Sequence, residues 1–269
     1  PITKSVLANA VGYVDTPSFS APNLSSRWSK AGYLQLTTEQ ILAADTQQRS
    51  NYVVIVQDPF TSFYEAEVVE AFAHVVKRLG YTPVLLPFKG HGKAQHVKGY
   101  LQAFEQTARR VAEQLLPLHE ASVDMVGVDS STALVFRDEY QQALGSDAAQ
   151  LRVKTVVEWF DGKPLSPMAE ISNRTYGLLL HCTEQSFIPE SAKHWQRLFS
   201  AFGLKLDVVS VGCCGMAGTF GHEKNNQQDS KALYKMGWEQ AVEAYGNMGI
   251  VATGFSCRSQ IKRMEKKRV

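Results

Sequence analysis

The chain has 269 residues, of which 44% are hydrophobic and 20% are charged, and its formal net charge is +2. This length is enough for a full hydrophobic core in one large domain or in two of ordinary size. The composition excludes an intrinsically disordered chain, and the near-neutral charge excludes a broad nucleic-acid-binding surface.

Residues 1–50 are predicted to form an irregular lead segment, because Ser, Thr, Pro and Asn are frequent there and hydrophobic periodicity is weak. A short helix is expected around "TTEQILAA". No run of about 20 apolar residues that would cross a bilayer is present, and no signal peptide opens the chain. We therefore expect a cytoplasmic protein without a transmembrane segment, which reaches the inner membrane only through partners.

Residues 51–150 are predicted to form a first α/β half. The apolar, β-branched run "YVVIVQD" is typical of a strand buried on both faces. The next segment, "EAEVVEAFAHVVKRLG", predicts an amphipathic helix that ends near Gly80. A strand, a helix and a strand follow in "TPVLLPF", "HVKGYLQAFEQTARRVAEQLL" and "VDMVGVDS". This alternation indicates parallel α/β units.

Residues 151–175 are predicted to be a bridging helix and loop, and residues 176–262 repeat the plan of the first half. The repeat has predicted strands in "YGLLLHC", "KLDVVSVGCCG" and "NMGIVATGFSC" and predicted helices in "PESAKHWQRLFSAFG" and "DSKALYKMGWEQAVEAYG". Tyr52 and Tyr176 are 124 residues apart, as are Phe63 and Phe187. A period this long indicates a duplicated domain. We expect an α/β fold of two pseudo-repeated parallel-sheet halves, with a basic tail at 263–269.

All of the cysteines lie in the last third of the chain. They follow the carboxyl ends of the three strands predicted in the second half, at Cys182, Cys213, Cys214 and Cys257. Because the carboxyl ends of parallel strands share one edge of a sheet, where ligands commonly bind, these thiols are expected to converge. The alternatives are that they are small buried hydrophobic residues, or that Cys213 and Cys214 form a strained vicinal disulfide.

Thiolates are soft ligands that suit iron–sulfur clusters, zinc or cuprous copper, and four of them complete a tetrahedral or cubane ligand set. The glycines around the adjacent pair, Gly215 and Gly218 among them, allow sharp turns and close approach of backbone N–H groups to a bound group. His181 and His222 lie beside the cysteines and are candidate ligands of a zinc site. The alternative for each histidine is an ordinary hydrogen-bonded residue.

The string "CCGMAGTFGHE", the spacing Cys-x30-Cys-Cys-Gly-x41-Cys and the later "GFSCRSQ" resemble the cysteine-rich CCG domain. This domain occurs in heterodisulfide reductases and in the C-terminal part of large bacterial FAD-linked D-2-hydroxyacid dehydrogenases, such as those acting on D-lactate, glycolate or D-2-hydroxyglutarate. The resemblance covers about residues 50–262. It implies two CCG units, with the cysteines of each binding a [4Fe-4S] cluster or, in some members, zinc.

Carried over by position, the resemblance implies Cys182, Cys213, Cys214 and Cys257 as the ligands of a cluster or a zinc ion. In the first half, the positions of the cysteines are taken by Asp58, Gly90, His91 and the Ser130–Ser131 region, so we expect one metal site and not two. Gln260 replaces the last cysteine of a frequent Cys-x-x-Cys ending, which leaves no fifth thiolate for a noncubane cluster.

The resemblance implies an iron–sulfur module that passes electrons from flavin to an acceptor. FAD and a ferredoxin-like cluster domain are expected in upstream parts of the same polypeptide, and the chain alone is not expected to oxidise a hydroxyacid. The chain begins with Pro1 and lacks a Gly-x-Gly-x-x-Gly nucleotide motif after a strand, so we interpret it as part of a longer protein. Two alternatives are a zinc-binding structural or docking module and a thiol–disulfide reductase of the heterodisulfide type.

Overall fold

The structure is a computed structural model, which describes residues 12–148, 150–165, 174–246 and 248–266. The chain divides into two compact units. The first unit comprises Phe19–Lys163, and the second unit comprises residues up to Ser18 together with those from Pro164 onward. Each unit contains one parallel β-sheet with helices between its strands, so the predicted α/β class is confirmed.

The sheet of the first unit has five parallel strands in the order β1-β3-β2-β4-β5. The strands are β1 (Leu34–Gln35), β2 (Tyr52–Val56), β3 (Thr82–Leu85), β4 (Asp124–Gly127) and β5 (Lys154–Thr155). The predicted strand in "YVVIVQD" is the central strand β2, and its residues 53–56 are buried. Helices cover both faces of a central parallel strand, which is why its sequence is apolar at every position.

The helices of the first unit supply most of the remaining core. Among the described residues they are α1 (Leu24–Lys30), α2 (Thr38–Ala43), α3 (Thr46–Asn51), α4 (Pro59–Tyr64), α5 (Ala66–Arg78), α6 (Lys93–Val97), α7 (Leu101–Glu120), α8 (Ser130–Ala133), α9 (Glu139–Leu144) and α10 (Val156–Phe160). Helix α5 ends where predicted, just before Gly80, whose φ of +86° suits glycine. In the described part of the chain, no helix combines the length and apolar character that crossing a membrane requires.

Residues 24–51 differ from the expected irregular lead segment, because they contain three helices and the edge strand β1. Each helix begins after a capping side chain, namely Asn23, Thr37 and Asp45, which accepts a hydrogen bond from a backbone N–H of the first turn. Such caps stabilise helices too short to show periodicity. The helix predicted in "TTEQILAA" is confirmed as α2, whereas residues 1–11 lie outside the described residues.

The helix predicted from residue 96 onward is two helices, α6 and α7. The chain turns between them at Gly99, whose φ of +78° does not continue a helix. The predicted bridge at 151–175 contributes a helix, α10, and also the short strand β5, which pairs with β4 and extends the first sheet. Residues 166–173 of this bridge lie outside the described residues. The predicted limits of the two halves remain predictions.

The second unit has a three-stranded parallel sheet in the order β7-β6-β8. Its strands are β6 (Thr175–Leu179), β7 (Lys205–Val208) and β8 (Ile250–Ala252), and its described α-helices are α11 (Cys182–Phe187), α12 (Ser191–Ala201), α13 (Gln227–Lys235), α14 (Trp238–Tyr245) and α15 (Phe255–Glu265). The single helix predicted over 229–246 is split into α13 and α14 at Gly237, which adopts a non-helical conformation. Residues 263–265 of the predicted basic tail belong to α15.

The two sheets place their strands in the same way. In each, the first strand of a three-strand set lies in the middle, with the second and third on either side, giving β3-β2-β4 and β7-β6-β8. All of these pairings are parallel, so the three carboxyl ends lie at one edge in each unit. The segments that leave this edge carry the cysteines in the second unit.

Leu178 lies in the central strand β6 and is 0% exposed, whereas Met236 is 80% exposed. We expect Leu178→Ala to reduce the free energy of unfolding by about 2–5 kcal/mol, because it removes buried methyl groups and leaves a cavity. Met236→Ala is the control and should change it by less than about 0.5 kcal/mol. Urea unfolding followed by fluorescence and circular dichroism measures both. Equal effects of the two substitutions would contradict the central position of β6.

Candidate metal centre

Cys182 begins helix α11, three residues after the end of β6. The preceding residue, His181, caps this helix: its Nδ1 accepts a hydrogen bond from the backbone N–H of Thr183 at 3.2 Å. The cap fixes the point at which the chain turns from the strand into the helix. Cys182 is consequently held at the sheet edge, where its side chain is exposed.

Cys213 and Cys214 lie in an irregular segment that follows β7. Trp238 donates from Nε1 to the carbonyl oxygen of Gly212 at 2.8 Å, which ties the start of this segment to α14. The backbone N–H of Gly215 donates to Cys213 Sγ at 3.4 Å, as expected of a glycine that brings the backbone close to sulfur. Cys213 is half-buried and Cys214 is buried.

Cys257 is the third residue of α15, the helix that follows β8, and it is buried. The helix starts after Gly254, which lies against the imidazole of His181. A Cβ atom at position 254 would lie 2.2 Å from His181 Cδ2. Only a residue without a side chain allows this approach, so Gly254 brings the start of α15 beside the start of α11.

The structure brings the four thiols together as a chain of contacts. Hydrogen bonds join Cys182 to Cys213, Cys213 to Cys214 and Cys214 to Cys257. The hydrogen bonds from Cys182 and Cys214 lower the pKa of Cys213, whose thiolate accepts them. The same bonds raise the pKa of Cys182 and, together with the contact to Cys257 and burial, that of Cys214.

A donor set of four clustered thiols fits a soft metal ion or an iron–sulfur cluster by its chemistry. Its geometry is less complete: within the described residues, no three or more His, Cys, Asp or Glu side chains are arranged to hold a metal ion. Cys182 also interacts electrostatically with Cys257, so the first and last of the four thiols are near each other as well. The fit therefore rests on donor type and proximity.

Both candidate histidines are buried and have protein partners for their ring nitrogens. Since Nδ1 of His181 accepts from Thr183, the neutral ring carries its proton on Nε2, which lies 3.5 Å from Ser256 Oγ. Nδ1 of His222 lies 3.2 Å from the carbonyl oxygen of Val14, which can only accept a hydrogen bond.

Nε2 of His222 is left to accept, and Ser259 Oγ lies 3.3 Å from it. Burial lowers the pKa of His222, which favours this neutral form. These hydrogen bonds favour a supporting role for both histidines over metal ligation.

The two glycines predicted to approach a cofactor differ in their surroundings. Both have positive φ, +83° at Gly215 and +67° at Gly218. A Cβ atom at Gly215 would lie 2.2 Å from the backbone oxygen of Ser230, whereas a Cβ atom at Gly218 would meet nothing within 4 Å. Gly215 is therefore required by packing against α13, and Gly218 by backbone conformation alone.

The same edge of the first unit carries carboxylates and imidazole in place of thiols. Asp58 caps α4, accepting from the backbone N–H groups of Phe60 at 2.7 Å and Thr61 at 2.9 Å. Burial, together with the nearby Asp129, raises its pKa to about 7. His91 accepts from the backbone N–H of Lys93 at 3.2 Å, and burial lowers its pKa to about 4.

Two further positions of the first unit complete this comparison. Ser130 is buried, and Ser131 donates from Oγ to Asp129 Oδ2. Gly90 precedes His91 in the segment after β3 and has open space around its Cα. None of these side chains is a soft ligand, so the first unit differs chemically from the second at this edge.

The described residues around the cysteines include a buried polar group that no sequence motif indicates. Ser230 of α13 and Arg263 of α15 hydrogen bond with Gln260, which stands out in the sequence only for its position after Cys257. Their spacing in the sequence has no recognisable period. Only packing of α13 against α15 brings them together.

The chain is similar to D-2-hydroxyglutarate dehydrogenases. It is 41% identical over 266 residues to the Escherichia coli K12 protein and 43% identical over 266 residues to the Pantoea ananatis protein. Each match covers 98% of this chain and 26% of the relative, so the chain spans about a quarter of their length. It is also 24% identical over 235 residues to one of the subunits of anaerobic glycerol-3-phosphate dehydrogenase from Escherichia coli K12, covering 82% of this chain and 57% of that protein.

A solved structure, that of a hypothetical protein from Helicobacter pylori, is similar in fold. It is 11% identical in sequence with a TM-score of 0.51, and the match covers 97% of this chain and 49% of that one. This likeness concerns the fold alone. No protein-family profile matches the chain.

We expect Gly215→Ala to destabilise the second unit more than Gly218→Ala does. Both substitutions place a side chain on left-handed backbone, which costs about 1–2 kcal/mol. Only the methyl group at position 215 also collides with the backbone of Ser230. Parallel urea titrations give the free energy of unfolding of each variant, and equal losses would contradict the close packing of Gly215 on α13.

Proposed function

We propose that this chain is an iron–sulfur electron-transfer module of an FAD-linked D-2-hydroxyacid dehydrogenase. The observation that supports this function most directly is the chain of contacts among Cys182, Cys213, Cys214 and Cys257. Four thiols, drawn from three strand ends, supply the full ligand set of a [4Fe-4S] cluster. The sulfur-rich edge occurs in one unit, so one cluster is assigned to the chain.

The relatives support the reaction class. The Escherichia coli protein that is 41% identical over 266 residues is named for D-2-hydroxyglutarate, a 2-hydroxy dicarboxylate. Because the chain spans about a quarter of that relative, we assign the hydroxyacid site, the flavin and a ferredoxin-like cluster domain to the rest of a longer polypeptide. The present chain would then carry electrons away from the flavin towards an acceptor.

A [4Fe-4S] cluster, when bound, supplies a one-electron carrier whose potential depends on hydrogen bonds to sulfur and on burial. The four cysteines would hold it, and the N–H of Gly215 would donate to the sulfur of Cys213. Cys214 and Cys257 are buried and keep water from one side of the centre, whereas the exposed Cys182 marks the side open to an electron-transfer partner. Beside the cysteines, His181 Nε2 lies 3.5 Å from Ser256 Oγ, which connects the residue before Cys182 to the residue before Cys257.

We expect anaerobically prepared chain to contain iron and sulfide in equal amounts, and each of the four Cys→Ser substitutions to lower both. Removing a residue that only hydrogen bonds to a metal ligand weakens metal binding by approximately 10–100-fold. The Cys→Ser substitutions should weaken cluster binding by more than this, because each removes a direct ligand. Asp58→Asn is the matched control: it changes the equivalent edge of the first unit, and Asn also caps helices well.

Metal analysis separates this proposal from its alternatives. If the chain contains zinc, and iron and sulfide are absent after anaerobic reconstitution, the cysteines form a structural zinc site and the electron-transfer proposal is wrong. A metal-free chain that forms a mixed disulfide with a small disulfide substrate at Cys213 would instead favour thiol–disulfide chemistry. A loss of iron in Asp58→Asn equal to that in the Cys→Ser variants would contradict the assignment of the cluster to the second unit.

In a polypeptide that joins this chain to its flavin domain, we expect Cys257→Ser to separate two half-reactions. Reduction of the flavin by D-2-hydroxyglutarate should continue, because it requires no cluster. Transfer to an external acceptor should slow by more than about tenfold, because the path through the second unit is interrupted. Stopped-flow absorbance measures both steps, and equal slowing of the two would show that the thiols serve the structure of the flavin domain.

A further inference from the structure

Gln260 is a fully buried polar residue on α15, the helix that carries Cys257. Residues three apart lie on the same side of a helix, so Gln260 lies beside Cys257 along α15. Its Nε2 donates to the backbone oxygen of Ser230 at 3.2 Å and to Ser230 Oγ at 3.1 Å. The side chain therefore links the cysteine-bearing helix α15 to α13.

Ser230 is also the residue against which the segment after the adjacent cysteines packs. Gly215, the neighbour of Cys214, lies so close that an added Cβ would be 2.2 Å from the Ser230 backbone oxygen. At Gly221 an added Cβ would be 2.7 Å from Ser230 Oγ. Ser230 thus contacts both the beginning and the end of the segment 215–221, and fixes that segment relative to α13.

Arg263 completes the connection from the next turn of α15. Its NH1 donates to the carbonyl oxygen of Gly221 at 2.7 Å, to Ser230 Oγ at 3.3 Å and to Gln260 Oε1 at 3.3 Å. The guanidinium also contacts the side-chain oxygen of Gln227, on α13. These hydrogen bonds hold both the amide of Gln260 and the segment that follows Cys213 and Cys214.

We propose that Gln260 is a positioning residue for the metal centre: through Ser230 it sets the separation between Cys257 and the Cys213–Cys214 pair. This inference rests on the proposed function, in which those thiols are cluster ligands. Gln260 does not ligate the cluster. Its amide holds α15 at a fixed distance from the segment containing the adjacent cysteines, which a shorter or apolar side chain at position 260 would not do.

The test compares Gln260→Leu with a control, Gln196→Leu, whose side chain makes a similar hydrogen bond but is exposed. Gln196 makes the same kind of bond in the same unit, from Nε2 to the carbonyl oxygen of Leu206 at 3.2 Å, but it joins α12 to β7. Both substitutions keep a side chain of similar volume and remove an amide donor. Circular dichroism and thermal unfolding establish that each variant is folded.

The first measurement uses the reduced, iron-free chain and phenylarsine oxide, a trivalent arsenical that bridges two nearby thiols. The binding measurement is made on a variant in which Cys182 and Cys213 are replaced by Ser, so that Cys214 and Cys257 are the only thiols left. We expect Gln260→Leu to weaken arsenical binding and Gln196→Leu to leave it unchanged. This readout concerns thiol separation and does not depend on any cluster.

The second measurement uses the reconstituted chain with all four cysteines. We expect iron release to a chelator to be about 10–100-fold faster in Gln260→Leu than in the unmodified chain, with an altered electron paramagnetic resonance spectrum of the reduced centre. Gln196→Leu should behave as the unmodified chain. If Gln260→Leu does not fold, Gln260→Glu takes its place, because it keeps the size and the bond from Arg263 but cannot donate to Ser230.

Unchanged arsenical binding in the folded Gln260 variant would overturn the positioning role, whether or not the chain binds iron. Equal effects of both substitutions on arsenical binding and iron release would also overturn it, since a role in positioning the thiols predicts an effect for Gln260→Leu alone. Failure of the unmodified chain to take up iron would overturn the proposed function instead, and the arsenical measurement would still decide whether Gln260 positions the thiols.

Discussion

The parallel pairing of β6 with β7 and β8 is the constraint on which the candidate centre depends. Because the three strands run in one direction, the chain leaves each of them at the same edge of the sheet. Cysteines that are distant in the sequence consequently start from neighbouring points. Short-range features then complete the approach: the cap at His181 fixes the start of α11, the turn at Gly215 packs against α13, and the missing side chain at Gly254 lets the start of α15 lie beside His181.

The two units show how one arrangement of strands serves different chemistry. In the first unit the edge is occupied by Asp58 and Asp129, which cap the helices that follow their strands. In the second unit His181 is the cap at the same distance from its strand, and Cys182 is the first residue of the helix. The carboxylates of the first unit accept hydrogen bonds from backbone N–H groups and provide hard oxygen atoms. The thiols of the second unit provide soft sulfur atoms. The shared strand arrangement is thus compatible with either type of side chain at this edge.

Much of the fold follows from local sequence, and the exceptions have local causes. Strand β2 and helix α5 were predictable because each buries a continuous run or stripe of apolar residues. The helix breaks at Gly99 and Gly237 were missed because hydrophobic periodicity continues across both. The helices of residues 24–51 were missed because they are stabilised by caps and tertiary packing, which a search for periodicity does not detect.

The sequence by itself determined which residues could form a soft-metal site and predicted that they would lie at one sheet edge, because side-chain type and the alternation of strands and helices can be read locally. Only the tertiary structure decided the partners of the supporting residues. His222 hydrogen bonds with Val14 and Ser259, and Gln260 hydrogen bonds with Ser230, in each case between segments far apart in the chain. A buried polar group is satisfied by whichever segment packs against it, and that choice is made by the fold as a whole.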